Sequence, residues 1–235
     1  MFLILGNMIM ARYLDFSHTH ISLRRSIWSY NKVQRLVSAI IRNRRVFMNL
    51  KTEGLYLDVG FGPNIITSNI NLDYAWHPGV DVCSDITRGL PLDDSYVGGI
   101  YTEHCIEHIP FELFVFGEFH RVMRPGACIR IVVPDFEIYV DKYNQFRKTG
   151  EMSMPYASED PIQGIYSPAM SVNRIFRAHG HQFIYDFATL STMLIKVGFI
   201  EITKRSFGCG GDPNMIFDTP DRAIESLYVE ARKVH

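Results

Sequence analysis

The chain of 235 residues predicts an α/β fold built on a doubly wound, mostly parallel sheet, and three observations carry that expectation. Short apolar runs, Leu55 to Leu57 and Ile70 to Leu72, read as buried strands, and each is followed by an acid, Asp58 and Asp73. The turn Gly60-Phe61-Gly62 comes directly after the first run, where glycines let backbone approach a ligand without a Cβ in the way. From Gly54 to Val133 strand signals alternate with short helical ones, the pattern of parallel strands joined by crossovers.

In chain order, the opening MFLILGNMIM is apolar but too short to span a bilayer. It lacks a charged start and a small-residue cleavage site, so no signal peptide is expected, and Met8 or Met10 are alternative starts. Residues 11–23 read as an arm. From Ser26 to about Leu50, apolar residues recur every three or four positions (Ile27, Tyr30, Val33, Leu36, Val37, Ile40, Ile41, Phe47), which predicts an amphipathic helix. Its other face is basic, with Lys32, Arg35, Arg42, Arg44 and Arg45, and no acid falls between Asp15 and Glu53. That face is either plainly solvated or, over residues 24–51, a contact for an anionic acceptor or membrane surface.

Only Pro63 to Ser68 separate the glycine turn from the second strand, too few for an ordinary crossover helix, so a turn is expected there. Val80 to Asp85 predicts a third strand and Gly99 to Tyr101 a fourth. Phe111 to Met123 is a crossover helix closed by Arg124-Pro125-Gly126, and Cys128 to Val133 a buried strand. A long insertion, Phe136 to Ile184, starts as a helix and passes into MSMPYASEDPIQGIYSPAM; loops of this length are usually functional lids or partly disordered. Phe187 to Lys196 reads as helix, and Gly198 to Ser206 and Glu225 to Arg232 as the last two strands. One domain follows: an N-terminal arm and helix (1–53), a ligand-binding half (54–135), a lid (136–184) and a C-terminal helix with strands (185–235).

A net charge of −1 argues against a general nucleic-acid binder, and 47% hydrophobic residues suffice for a core of this size. Cys83, Cys105, Cys128 and Cys209 show no C-x-x-C spacing and read as reduced thiols of a cytoplasmic protein. No metal site is expected, although His104-Cys105-Ile106-Glu107-His108 matches the H-x-x-E-H pattern of some zinc hydrolases. That pattern needs a helix, and here it follows a strand and ends at Pro110.

The order of parts resembles class I S-adenosylmethionine (SAM) methyltransferases over residues 54–233. The matching stretches are DVGFGPN, LPLDDS, EHCIEH, RVMRPGACIRIVVPD and HQFIYDFATLSTMLIKVGF. The resemblance implies a Rossmann-like seven-stranded sheet with SAM as cofactor. It places the loop of Asp58, Gly60, Phe61, Gly62 and Asn64 around the methionine half, Asp73 on the ribose hydroxyls, and Asp85 with Ile86 at the adenine. Glu103 and His104 would lie nearest the methyl group. His104 is then the expected general base for a hydroxyl acceptor, since histidine titrates near working pH. His179 and His181 are the alternatives, and His108 braces the loop. The tail SFGCGGDP with DRAIESLYVEARK resembles a branch associated with glycan biosynthesis, which implies a small-molecule or glycan-type acceptor methylated at oxygen. Arg174 and Arg177 would pair with a carboxylate or phosphate on it. The aromatic residues of the insertion are either stacking platforms or a small core beneath the lid. A second reading keeps the fold but not turnover, as a SAM-fold binding protein.

Overall fold

A computed structural model describes residues 33, 36, 37, 40, 43, 55–60, 62, 64–75, 78–111, 113–156 and 166–234. Most of the expected N-terminal helix lies outside these residues, as do the 11–23 arm, Phe61 and the centre of the insertion. The five described positions between 33 and 43 are helical.

Seven strands pair in one sheet among the described residues: β1 (Tyr56–Val59), β2 (Ile70–Asp73), β3 (Val82–Cys83), β4 (Val97–Glu103), β5 (Met123–Pro134), β6 (Phe199–Arg205) and β7 (Ser226–Lys233). The spatial order is β3-β2-β1-β4-β5-β7-β6. Strands β1 to β5 run parallel; β7 inserts antiparallel between β5 and β6. The fold is Rossmann-like. Its strand order reverses between β1 and β4, and in open sheets of this kind ligands bind beyond the carboxyl ends of the strands at that reversal.

The central strands are buried on both faces, which explains their near-continuous apolar runs. Helix α1 (Leu113–Val122) turns Val115, Phe116, Phe119 and Val122 into the core, at i, i+1, i+4 and i+7, one stripe of a helix. Helix α4 (Phe187–Lys196) adds Leu190, Met193 and Leu194. Between them in sequence, α2 (Phe136–Thr149) and α3 (Pro168–Arg177) belong to the 136–184 insertion. Asp135 caps α2 by accepting from Glu137 N at 2.9 Å. Gly150 ends α2 at φ 73° and donates to Phe146 O, a left-handed stop that glycine adopts at little cost. Within that insertion, Tyr139, Met154 and Ile175 make a separate small core, so Tyr139 belongs to packing rather than to a stacking platform.

Some boundaries move. The third strand is only Val82–Cys83, because Ile86–Arg88 winds into a 3-10 turn capped by Asp85. The fourth reaches Glu103, so that acid ends a strand instead of beginning a loop. No helix joins β1 to β2 among the described residues. Asn71 does that work with its side chain, accepting from Ile66 N at 3.0 Å and donating to Ile66 O and Asn69 O at 3.0 Å. The turn's backbone groups are thereby satisfied without helical bonds. At the edge, Asn43 exchanges two 3.3 Å bonds with the backbone of Cys83, which covers polar groups that β3 would otherwise expose.

The 206–222 segment is fastened across β5 and β7 by Arg130, which is wholly buried. Its guanidinium donates to Asp218 at 2.8 and 2.5 Å, to Glu230 at 2.9 Å and to Cys209 O at 2.9 Å. Gly210 is required beside it, since a Cβ there would come within 2.3 Å of Glu230 Oε1. All four cysteines are free thiols, and no helix of the described residues is long and apolar enough to cross a membrane.

Candidate active site

Two candidate regions meet at the loop following β4. The first lies at the strand reversal. Gly60 (φ 74°) and Gly62 (φ 58°) both take left-handed conformations, and Gly60 N donates to Leu72 O at 2.8 Å. A Cβ on Gly60 would stand 2.2 Å from Cys105 Sγ. The packing of Cys105 is by itself a reason for glycine at this position. At Gly62 a Cβ would meet open space. Asp73 accepts from Gly62 N at 3.3 Å and from Ala75 N at 2.8 Å, so it holds the glycine turn against the end of β2.

Asp58 is buried at the end of β1, and neither carboxylate oxygen accepts a hydrogen bond. Burial first, then the charges of Glu103 and Asp73, push it up to about 8. Three acids thus converge where β1, β2 and β4 end. Asp85 accepts from Thr87 N at 3.3 Å and Thr87 Oγ1 at 2.7 Å, and lies 3.4 Å from Arg88 Nε. Ile86 is buried in the main core; Asn64 is exposed.

The second region is a cavity of about 1040 Å³ bounded in part by the 136–184 insertion. Its walls are the post-β4 loop (His104, Glu107, His108), α3 with His179 and His181, and the segment around Arg222 and Glu225. Three lining residues, His104 (φ 48°), Tyr156 (φ 53°) and His179 (φ 57°), hold left-handed backbone conformations. Such strain in non-glycine residues gathers where surroundings over-determine a geometry, often at functional sites.

His104 differs from its expected state. Ser226 Oγ gives its one hydrogen to Arg222 O at 2.7 Å, so His104 Nε2, 2.8 Å away, must donate to that oxygen. Its Nδ1 then carries the lone pair and faces Glu107 Oε1 at 3.5 Å. Burial, with Arg222 and the neighbouring histidines, lowers His104 to about 2. This differs from the expected titration near 6.5, because the imidazole is largely buried although it lines the cavity. Glu107 is pushed up to about 8, chiefly by its own burial. Both shifts favour the uncharged forms of this buried pair. Glu103 is also engaged, accepting from Thr219 N at 2.9 Å and Thr219 Oγ1 at 2.5 Å. His181 lies over the cavity, its Nδ1 2.6 Å from Ile175 O, and its ring meets His108 edge-on with centroids 4.9 Å apart. Burial lowers both histidines, His108 to about 4.

The H-x-x-E-H arrangement does not form. Ile106–His108 is one 3-10 turn and His104 lies before it, just past the end of β4, so the two histidines do not share a helical face. Arg174 lines the cavity with its guanidinium 4.3 Å from the Tyr156 ring centre, whereas Arg177 is not among the lining residues. The sequence reading missed Ser226, Thr219 and Arg222, and met Glu107 only as the acid of the H-x-x-E-H pattern.

No family model matches the chain, and no curated protein matches it. Solved structures do resemble it. A SAM-dependent methyltransferase from Archaeoglobus fulgidus is 16% identical, with 92% of this chain and 100% of that one covered and a TM-score of 0.48. An S-adenosylmethionine-dependent methyltransferase from Mesorhizobium loti is also 16% identical, over 81% and 96% respectively, at 0.48. Phosphoethanolamine N-methyltransferase 2 of Haemonchus contortus, solved with S-adenosyl-L-methionine, is 12% identical at 0.46; 82% of this chain is covered and it spans 52% of that one. These likenesses are distant, and the reading of the site rests on its own residues.

Proposed function

We propose that this chain is a SAM-dependent methyltransferase whose small-molecule or glycan-type acceptor enters the cavity beneath the lid and is methylated at oxygen. One observation carries the reading: the unpaired, buried Asp58 with Asp73 and Glu103 beside the glycine turn. Three carboxylates there oppose the anionic pyrophosphate of a dinucleotide and favour a cationic ligand. SAM, with its ammonium and sulfonium, is a nucleoside of that charge, and it supplies the activated methyl group. The residues present fit it. Asp58 offers two free acceptor oxygens, Asp73 stands at the end of β2 where a ribose would be held, and Gly62 leaves its surface open.

The chain's own residues then have three tasks. Asp58 and Asp73 bind and orient the cofactor. The post-β4 loop separates crevice from cavity, with Cys105 packed on Gly60 and Glu107 on the cavity side. The lid excludes water and brings the acceptor to the boundary, an alignment that accounts for much of the rate in reactions whose chemistry the cofactor carries. Arg222 and the Tyr156-stacked Arg174 favour an acceptor bearing a carboxylate or phosphate. His104 serves as a positioning residue, donating to Ser226. A proton leaving a hydroxyl acceptor would go to His179, the alternative base that also lines the cavity.

Calorimetry with SAM, its demethylated product and NAD tests the reading. SAM and the product should bind saturably, and NAD should not. Because a cation needs ionised Asp58, SAM affinity should rise about tenfold per pH unit from pH 6 to 8 and level off above. Absence of SAM binding at millimolar concentration would overturn the proposal.

A further inference from the structure

We infer that Glu107, His108 and His181 form a binding site for one divalent transition metal, of the zinc class, in the wall of the lid cavity. Their donor atoms all lie within 4.8 Å of one another, and His108 Nε2 is 3.9 Å from Glu107 Oε1. Zinc at about 2.0–2.1 Å from each ligand would draw such atoms to separations of about 3.3 Å. The closure needed is under an ångström for that pair, within the reach of side-chain rotation.

The surroundings are those of a ligand set. Glu107 is fully buried, yet neither of its oxygens accepts a hydrogen bond. An unpaired buried carboxylate is costly unless a cation offsets it. The carbonyl of Ile175 can only accept, so His181 Nδ1 carries the hydrogen of that 2.6 Å bond and its Nε2 keeps a lone pair. An imidazole fixed through its other nitrogen by a backbone carbonyl is the usual outer support of a metal-bound histidine. His108 packs edge-on against His181 with ring centroids 4.9 Å apart, which keeps the two imidazoles side by side. His104, the third imidazole beside Glu107, spends its one ring hydrogen on Ser226 and gives none to the carboxylate.

Two imidazoles and one carboxylate suit zinc, iron(II), manganese or nickel better than calcium or magnesium, which prefer oxygen alone. Three protein ligands leave a coordination position toward the cavity, as in catalytic rather than structural sites. An acceptor oxygen occupying it would lose its proton more readily; that last step rests on the proposed methyl transfer, whereas the metal site does not.

The experiment uses the intact chain, stripped with chelator and titrated with zinc chloride by calorimetry, with elemental analysis for stoichiometry. One equivalent should bind with a dissociation constant below about 1 μM, and cobalt(II) should give visible d–d absorption. Losing an outer partner of a metal ligand costs about 10–100-fold in affinity, so His108→Ala, His181→Ala and Glu107→Gln should each cost about 100-fold or more. His120→Ala, outside the cavity, should bind as the parent does. Thermal melts of each variant without metal guard against misfolding, and a His108→Ala, His181→Ala double variant with a parental melt supplies the decisive comparison. Saturable binding retained in that variant, or no stoichiometric binding by the parent, would overturn the inference. A chain that binds zinc but not SAM would uphold the metal site and sink the methyltransferase reading.

Discussion

At the scale of single residues, Asp73 has two duties that separate by substitution. Its carboxylate takes backbone hydrogens from Gly62 and Ala75, and under the proposed function it also takes ribose hydroxyls. Charge-assisted bonds of this type contribute about 1.5–3 kcal/mol each. Asp73→Ala should therefore weaken SAM by about ten- to hundred-fold or more. Asp73→Asn keeps one acceptor oxygen and should lose less. Equal SAM affinity in the alanine variant and the parent, measured by calorimetry, would remove Asp73 from the cofactor site. The chemistry of Asp58 was not legible in the sequence. An acid after an apolar run is often a turn residue, and only the packing of β1 between β2 and β4 reveals that it is buried and unpaired.

At the scale of elements, the C-terminal segment is a strap whose anchor is ionic. Arg130 sits at the centre of β5 with Asp218 and Glu230 on its two sides. Removing one partner leaves charge uncompensated in a dry place, which typically costs about 3–5 kcal/mol. Asp218→Ala should accordingly lower the urea midpoint by that order of stability, and a stability change below about 1 kcal/mol would show that the anchor carries little. Most elements were legible: α4 matches Phe187 to Lys196 at both ends, because its apolar period and Asp186 cap agree. The sheet reads equally well from Leu55, Ile70 and Cys128 onward, since fully buried strands are continuous apolar runs. What stayed hidden depends on distant partners. Arg130 looked like one polar residue interrupting a strand, and its partners lie 88 and 100 positions away. His104 carried no sign that Ser226, 122 positions on, would fix its tautomer.

At the scale of the whole molecule, buried groups of opposite sign shape the pH dependence of stability. Asp58 and Glu107 rise from 3.8 and 4.5 to about 8, so their share of stability is present at low pH and is lost as pH climbs toward 8. His104 and His108 fall from 6.5 to about 2 and about 4, so theirs is present above 6.5 and lost as pH drops. Between about pH 4.5 and 6.5 the two slopes oppose and nearly cancel. Above 6.5 only the carboxylates titrate. The melting temperature of the ligand-free chain should stay level over the first interval and decline from 6.5 to 8, and Asp58→Asn should flatten that decline. A midpoint that climbs between 6.5 and 8 would contradict the assignment. The bonds between Glu103 and Thr219 carry a further consequence. That carboxylate faces the crevice acids while gripping the strap that leads to Arg222 and Glu225 in the cavity. Under the proposed function, a cation arriving in the crevice competes with Thr219 for the same oxygens, so filling one recess alters the affinity of the other, and reciprocity requires the effect to be equal in both directions. The two substrates of such an enzyme would not bind independently, and the order in which they load would be written into a single glutamate.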